Sequence, residues 1–204
     1  MRRTVLLVAV MAAALVMASG VALAVDRVGT NGNDTLRGTG GADNLSGKGG
    51  QDDLFGKGGS DNLSGGPGKD VVLGGDERRP RGGDKNLDGG SGNDVVGAGR
   101  GSDNVSGGDG NDFLIDGNLG ESSQDNLSGG SGNDVIIVDN FPAVKDLVAC
   151  GGGFDRVLAD RKDVVAPDCE RVVVVRGSRE AVLRQEHEFF ESIPESFFAG
   201  LPQF

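Results

Sequence analysis

The sequence predicts an all-β solenoid, a stack of very short strands joined by tight glycine-rich turns, closed by a β segment and followed by a short tail of helix-forming composition. Three observations carry this reading. A nine-residue unit recurs nine times in one register, 38 of the 204 residues are glycine with no tryptophan or tyrosine, and 31 acidic side chains outnumber 20 basic ones. Glycine adds no side chain to a core and loses the most backbone entropy on ordering, so something other than a thick core has to hold such a chain. The glycines do not fall at every third residue and there are only 6 prolines, which excludes collagen. A formal charge of −11 has the wrong sign for a phosphate-binding surface, which excludes nucleic acid as a partner and favours cations.

The chain begins with a targeting segment. Arg2 and Arg3 form a positive start, the run from Val5 to Ala18 is apolar and uncharged, and Ala22-Leu23-Ala24 has the small-x-small form of a cleavage site. Residues 1–24 are therefore expected to be a signal peptide and the rest a secreted, extracellular chain. The apolar run is shorter than the roughly 20 residues that span a bilayer, so no stable membrane span is expected.

Residues 25–139 hold the repeat. With Gly29 as position one, GTNGNDTLR, GTGGADNLS, GKGGQDDLF, GKGGSDNLS and GGPGKDVVL run without a break to Leu73, and further copies start at Gly89, Ala98, Gly107 and Gly129. In every copy position four is Gly, position six is Asp and position eight is Leu, Val or Ile. The first six residues are turn formers, and the last three are long enough for a very short strand carrying one aliphatic side chain. A single copy cannot bury that side chain. Stacked copies can, aligning Leu36, Leu45, Leu54, Leu63, Val72, Val96, Val105, Leu114 and Ile136 in a thin continuous core.

These residues resemble the hemolysin-type, or RTX, repeat GGxGxDxUx, with U a large aliphatic residue. The resemblance implies a right-handed parallel β-roll in which two units make one turn, so that position-six Asp residues eighteen apart face each other across adjacent loops. It also implies calcium, shared by carboxylates of loops i and i+2 with loop carbonyls completing the shell. Strands lie about 4.8 Å apart, so stacked carboxylates repel unless a cation lies between them, and calcium takes six to eight hard oxygens. The implied ligands are Asp34, Asp43, Asp52, Asp61, Asp70, Asp94, Asp103, Asp112, Asp125 and Asp134. The uninterrupted pairs are Asp34 with Asp52, Asp43 with Asp61, Asp52 with Asp70, and Asp94 with Asp112.

Two interruptions bear on the stack. Gly74 to Asp88 takes fifteen residues, including the basic Glu77-Arg78-Arg79-Pro80-Arg81, with Leu87 in register but Asp84 one place early for ligation. Asp116 to Ser128 takes thirteen, with Ser123 in place of the position-four Gly and Asp125 and Leu127 retained. If both loop out, Asp70 with Asp94, Asp103 with Asp125, and Asp112 with Asp134 pair as well. If they break the stack, there are two rolls.

Residues 140–177 are expected to cap the roll. Glycine thins out and β-branched runs take over, while Cys150-Gly151-Gly152-Gly153-Phe154-Asp155-Arg156-Val157 keeps the repeat rhythm. The segment looks like the terminal piece of many exported members of the family, with Ala159-Asp160, Asp163 and Asp168-Cys169-Glu170 at the matching places. Cys150 and Cys169 are the only cysteines, and in an exported chain such a pair is expected as a disulfide; a metal site lacks nearby His, and a catalytic thiol lacks a base.

Residues 178–204 form a tail with five of the nine phenylalanines. Glu180 to Glu191 has helical composition, with Val182, Phe189, Phe190 and Ile193 loosely on one face, and docking on the roll is the plain expectation. His187 lies outside any HExxH pattern and reads as solvated. No catalytic constellation is visible, so the chain is not expected to be an enzyme. Its expected partners are calcium ions, with a cell-surface or glycan partner as the alternative role of an adhesin or matrix component.

Overall fold

The computed structural model describes residues 23–76, 83–84, 86–116, 123–138, 140, 143–176 and 179–202. Residues 1–22 of the expected signal peptide (1–24) and the basic turn at 77–81 lie outside them. Among the described residues sixteen strands alternate between two parallel sheets. One sheet is built from β1 (Asp26–Val28), β3 (Asn44–Ser46), β5 (Asn62–Pro67), β7 (Asn86–Ser91), β9 (Asn104–Asp109), β11 (Asn126–Ser131), β13 (Leu147–Gly152) and β15 (Val164–Val165), in that order. The other runs β2 (Thr35–Arg37), β4 (Asp53–Lys57), β6 (Val71–Asp76), β8 (Val95–Arg100), β10 (Phe113–Ile115), β12 (Val135–Val138), β14 (Arg156–Ala159) and β16 (Arg171–Val174). Each strand thus pairs with the strands two before and two after it, which is the β-solenoid.

Position eight sets the register. Leu36 aligns with Leu54, Leu54 with Val72, Val72 with Val96, Val96 with Leu114 and Leu114 with Ile136. In the facing sheet Leu63 aligns with Leu87, Leu87 with Val105 and Val105 with Leu127. The aliphatic ladder is buried, and Leu87 and Leu127 keep it continuous across both interruptions. The described strands on either side of both interruptions therefore belong to one stack, and the alternative of two rolls does not arise. Both fall where an even strand leads into an odd one, between β6 and β7 and between β10 and β11. The crossings from odd to even strands take six residues after β1 and β3 and three after β5, β7, β9, β11 and β13, strands that are longer by three residues. Strands β13 to β16 extend the same two sheets, with Val148 and Val157 in the core.

Glycine serves two separate needs. From the third copy on position two takes positive φ, through Lys48 and Lys57 in two copies and glycine in the rest, and position four does so in most copies, as at Gly90 (108°) and Gly92 (135°), a region that costs a residue bearing Cβ. Position one has ordinary φ but no room. A Cβ on Gly89 would stand 2.6 Å from the Gly107 carbonyl oxygen and 2.7 Å from Asp94 Oδ2.

The tail forms two helices, α1 (Arg179–Glu191) and α2 (Glu195–Gly200). Phe189, Ile193, Phe197 and Leu201 cluster with Val135, Ile137, Leu158 and Val175, against Val95, Phe113, Ile115 and Val173. The helices therefore cover the outer face of the even-stranded sheet, as the docking expectation has it. Asn93 Nδ2 donates to the Gly200 carbonyl at 3.3 Å, tying the tail to a loop. Phe190 turns outward and is 40% exposed, because the adjacent Phe189 takes the inward position. His187 is exposed and lies 4.0 Å from Glu191. Among the described residues no helix is long and apolar enough to cross a membrane.

Candidate metal centre

The position-six aspartates form two ladders, one along each edge of the roll. On the regular edge the main-chain N–H of Asp34 donates to Asp52 Oδ1, Asp52 to Asp70, Asp70 to Asp94, Asp94 to Asp112, and Asp112 to Asp134, each at 2.8–2.9 Å. Asp134 continues it to Asp155, and Asp155 to Glu170 Oε2. On the edge that carries the insertions the series is Asp43, Asp61, Asp84, Asp103, Asp125, Asp146 and Asp163. All ten sequence-predicted aspartates stand in these ladders, paired as the stacking requires.

The ladders also hold residues that reasoning from the nine complete copies left out. Asp84 takes its place although it is three residues before Leu87 instead of two, because the ladder bond and not the spacing to the strand places the carboxylate. Asp146, Asp155 and Asp163 belong to degenerate copies. Asp155 was legible in the Cys150–Val157 pattern, but Asp146 and Asp163 are preceded by no glycine pattern that would have flagged them.

A ladder bond uses one carboxylate oxygen. The other, Oδ2, is buried and accepts no hydrogen bond in Asp52, Asp61, Asp70, Asp94, Asp112, Asp125, Asp134 and Asp155. A buried anion without a partner costs several kcal/mol. On the regular edge these oxygens share a cradle with backbone carbonyls. The point where a Cβ of Gly107 would stand is 2.5 Å from both Asp112 Oδ2 and the Gly129 carbonyl oxygen, and the same pair of neighbours recurs at Gly29, Gly47, Gly65, Gly89 and Gly129. Carboxylate and carbonyl oxygens turned toward one another, with no donor between, are the donor set of a hard cation. The first two copies differ. Thr30 donates its N–H (2.6 Å) and hydroxyl (2.9 Å) to Asp34 Oδ2, and Thr39 does the same for Asp43, so these two carboxylates are already satisfied.

Electrostatics follow burial. Desolvation pushes Asp61 and Asp70 up to about 6, Asp94 and Asp134 to about 7 and Asp112 to about 8, with the neighbouring ladder carboxylates adding to the rise. The Thr30 N–H holds Asp34 below its ordinary value, helped by the Thr30 hydroxyl.

A family model described as the RTX calcium-binding nonapeptide repeat matches the chain in four copies, at residues 28–63, 46–77, 82–115 and 119–140, a little over half its length. The chain belongs to this family. No curated protein matches it. RTX repeats bind calcium, and the stacked aspartate ladder is the part of this chain that fits the ion. The RTX roll is a structural calcium-binding fold, and here it carries a disulfide between Cys150 and Cys169, with Cα atoms 5.2 Å apart, joining β13 to the segment before β16.

Proposed function

We propose that this is an exported calcium-binding protein whose roll folds because calcium neutralises the ladder aspartates. Export rests on the segment 1–24, with the roll in 25–139, a closing β segment in 140–177 and the tail in 178–204. The observation that carries the reading is the row of buried Oδ2 atoms of Asp52, Asp70, Asp94, Asp112, Asp134 and Asp155, one per turn along the regular edge, each lacking a donor. Asp34, Asp43, Asp52, Asp61, Asp70, Asp94, Asp103, Asp112, Asp125 and Asp134 are the proposed ligands, joined by Asp84 and Asp155. Bound calcium supplies positive charge between stacked loops and takes no part in bond making. The repeating unit leaves no reacting group in the ladders, and the reading assigns no catalysis.

Because the ligands come from different turns, ion binding and folding are one equilibrium. Circular dichroism during a calcium titration, with magnesium as control, tests this. The expected result is a gain of β structure in millimolar calcium, the range of extracellular modules, ~10⁻⁴ to 10⁻³ M. A spectrum that does not change between chelator and calcium refutes it.

A second reading, a calcium-stiffened adhesin or matrix component with a glycan partner, is favoured by one surface. Among the described residues nothing covers the outer face of the odd-stranded sheet, which carries a row of Asn44, Asn62, Asn86, Asn104 and Asn126, with a groove running over Asn86, Asn104 and Asn126 to Leu147 and Val164. Retention on immobilised glycans that disappears with chelator supports it, and equal retention with and without calcium refutes it.

A further inference from the structure

One turn of the roll breaks the position-one rule with a charge. On the edge that carries the insertions, position one is Gly38, Gly56 and Gly74 and then Ala98, Asp116, Val138 and Ala159, the last four all buried. Asp116 is fully buried, and its main-chain N–H donates to the Ile137 carbonyl at 2.9 Å, fixing it in the even-stranded sheet. Its carboxylate stands with those of Asp125 and Asp146, also fully buried, so that one oxygen from each lies within 4.8 Å of the others.

Asn140 closes this group. It is 5% exposed, and its amide nitrogen donates to Asp146 Oδ2 at 2.7 Å and to Asp116 Oδ2 at 3.2 Å, while its buried Oδ1 has no partner. A half-turn about the last side-chain bond exchanges N for O. The amide oxygen would then face two carboxylates, an arrangement that only a cation among them makes favourable. Asp125 Oδ2 in this group is buried and accepts no hydrogen bond. The charges acting on Asp125 are Asp116 and Asp103, and those acting on Asp146 are Asp116 and Asp160, all acidic.

We propose that Asp116, Asp125 and Asp146, with the Asn140 amide oxygen, form a divalent-cation site of a different kind from the loop sites, built from side chains that flank β10, β11 and β13. It deepens the calcium reading and rests on it for the identity of the ion. Three carboxylates in place of two raise the ligand charge, and attachment to three strands makes the cage stiff; both raise calcium affinity. The site binds the second insertion at its start, Asp116, and near its end, Asp125, and so holds the stack in register where the chain departs from it.

The test is calcium counting on the full chain by native mass spectrometry during stepwise chelation, with circular dichroism as the check on folding. Wild type is expected to retain one ion after the rest have left. In Asp116→Asn, and in Asp116→Gly, which installs the residue the early turns carry, that last ion is lost or leaves at roughly tenfold higher free calcium. Asn140→Ala keeps every carboxylate and is expected to loosen the same ion. Variants that release their last ion as wild type does overturn this site and leave the loop sites standing. A wild-type chain that binds no calcium overturns both.

Discussion

The main-chain N–H of Asp52 donates to Asp70 Oδ1 at 2.8 Å, one full turn further along the roll. This bond repeats from turn to turn and gives the position-six aspartate two tasks. One oxygen ties adjacent turns through the backbone, and the other is left buried beside carbonyl oxygens. The first task works without an ion; the second sets carboxylates into a low dielectric at spacings where they repel.

The pH dependence without calcium should therefore run opposite to ordinary acid denaturation. Asp61, Asp70, Asp94, Asp112 and Asp134 are raised from 3.8 to between about 6 and about 8, so each binds its proton more tightly in the folded chain than in the unfolded one. Their contribution to stability is fully present below about pH 4 and is lost as pH rises through the folded values. In chelator, β structure should be greater near pH 4 than near pH 8, and calcium should restore it at pH 8. Greater β content at pH 8 in chelator would contradict the burial of these groups.

Asp52 and Asp34 should differ in their sensitivity to substitution. Asp52 faces both Asp34 and Asp70 and has a buried oxygen without a donor, whereas Thr30 already satisfies Asp34. Asp52→Asn is expected to shift the calcium midpoint of folding by roughly tenfold and Asp34→Asn by much less. Equal shifts in a titration followed by circular dichroism would show that the Thr30 bonds do not satisfy Asp34.

Position-one glycine should tolerate no methyl group on the regular edge. Gly89→Ala places a Cβ 2.6 Å from the Gly107 carbonyl oxygen and 2.7 Å from Asp94 Oδ2, whereas Gly152→Ala meets nothing within 4 Å. The first should cost about 1–3 kcal/mol and the second stay within about 0.5 kcal/mol, read from thermal unfolding in calcium. A Gly89→Ala protein as stable as wild type would mean that the cradle is not tight.

The disulfide closes a loop with a sequence separation of 19 between Cys150 and Cys169. A loop of that size stabilises by about 3 kcal/mol, chiefly through the unfolded chain. Cys150→Ser with Cys169→Ser is expected to lower the melting point by on the order of 10 °C while the calcium-bound spectrum at 25 °C stays unchanged. An unaltered melting point would place the limiting step of unfolding elsewhere in the stack.

Phe189 is 1% exposed under the tail and Phe190 is 40% exposed. Phe189→Ala should destabilise by about 3–5 kcal/mol and uncover the apolar face around Phe113 and Val135, raising binding of a hydrophobic dye. Phe190→Ala should do neither, within about 0.5 kcal/mol. The reverse order would mean that the tail docks through its other face.

The sequence by itself determined the period, the alternation of short strands and tight turns, the aliphatic ladder and the ten periodic aspartates, because each of these repeats every nine residues and a repeat is legible without knowing what it touches. Even the side of the docked tail was within reach. Position seven is Asn in Asn62, Asn86, Asn104 and Asn126 but Val or Phe in Val71, Val95, Phe113 and Val135, and only the second set lies in the even-stranded sheet. What the tertiary structure alone decided is the fate of the irregular residues. Asp84 stands in the ladder because the Asp61 N–H reaches it. Asp116, Asp125, Asp146 and Asn140 meet because the even-stranded sheet holds Asp116 while the ladder stacks Asp125 on Asp146. Their separations in sequence, 9 from Asp116 to Asp125 and 21 from Asp125 to Asp146, match no single period. Register in a solenoid is set by hydrogen bonds between turns, so a residue that is out of step along the chain can be in step across it.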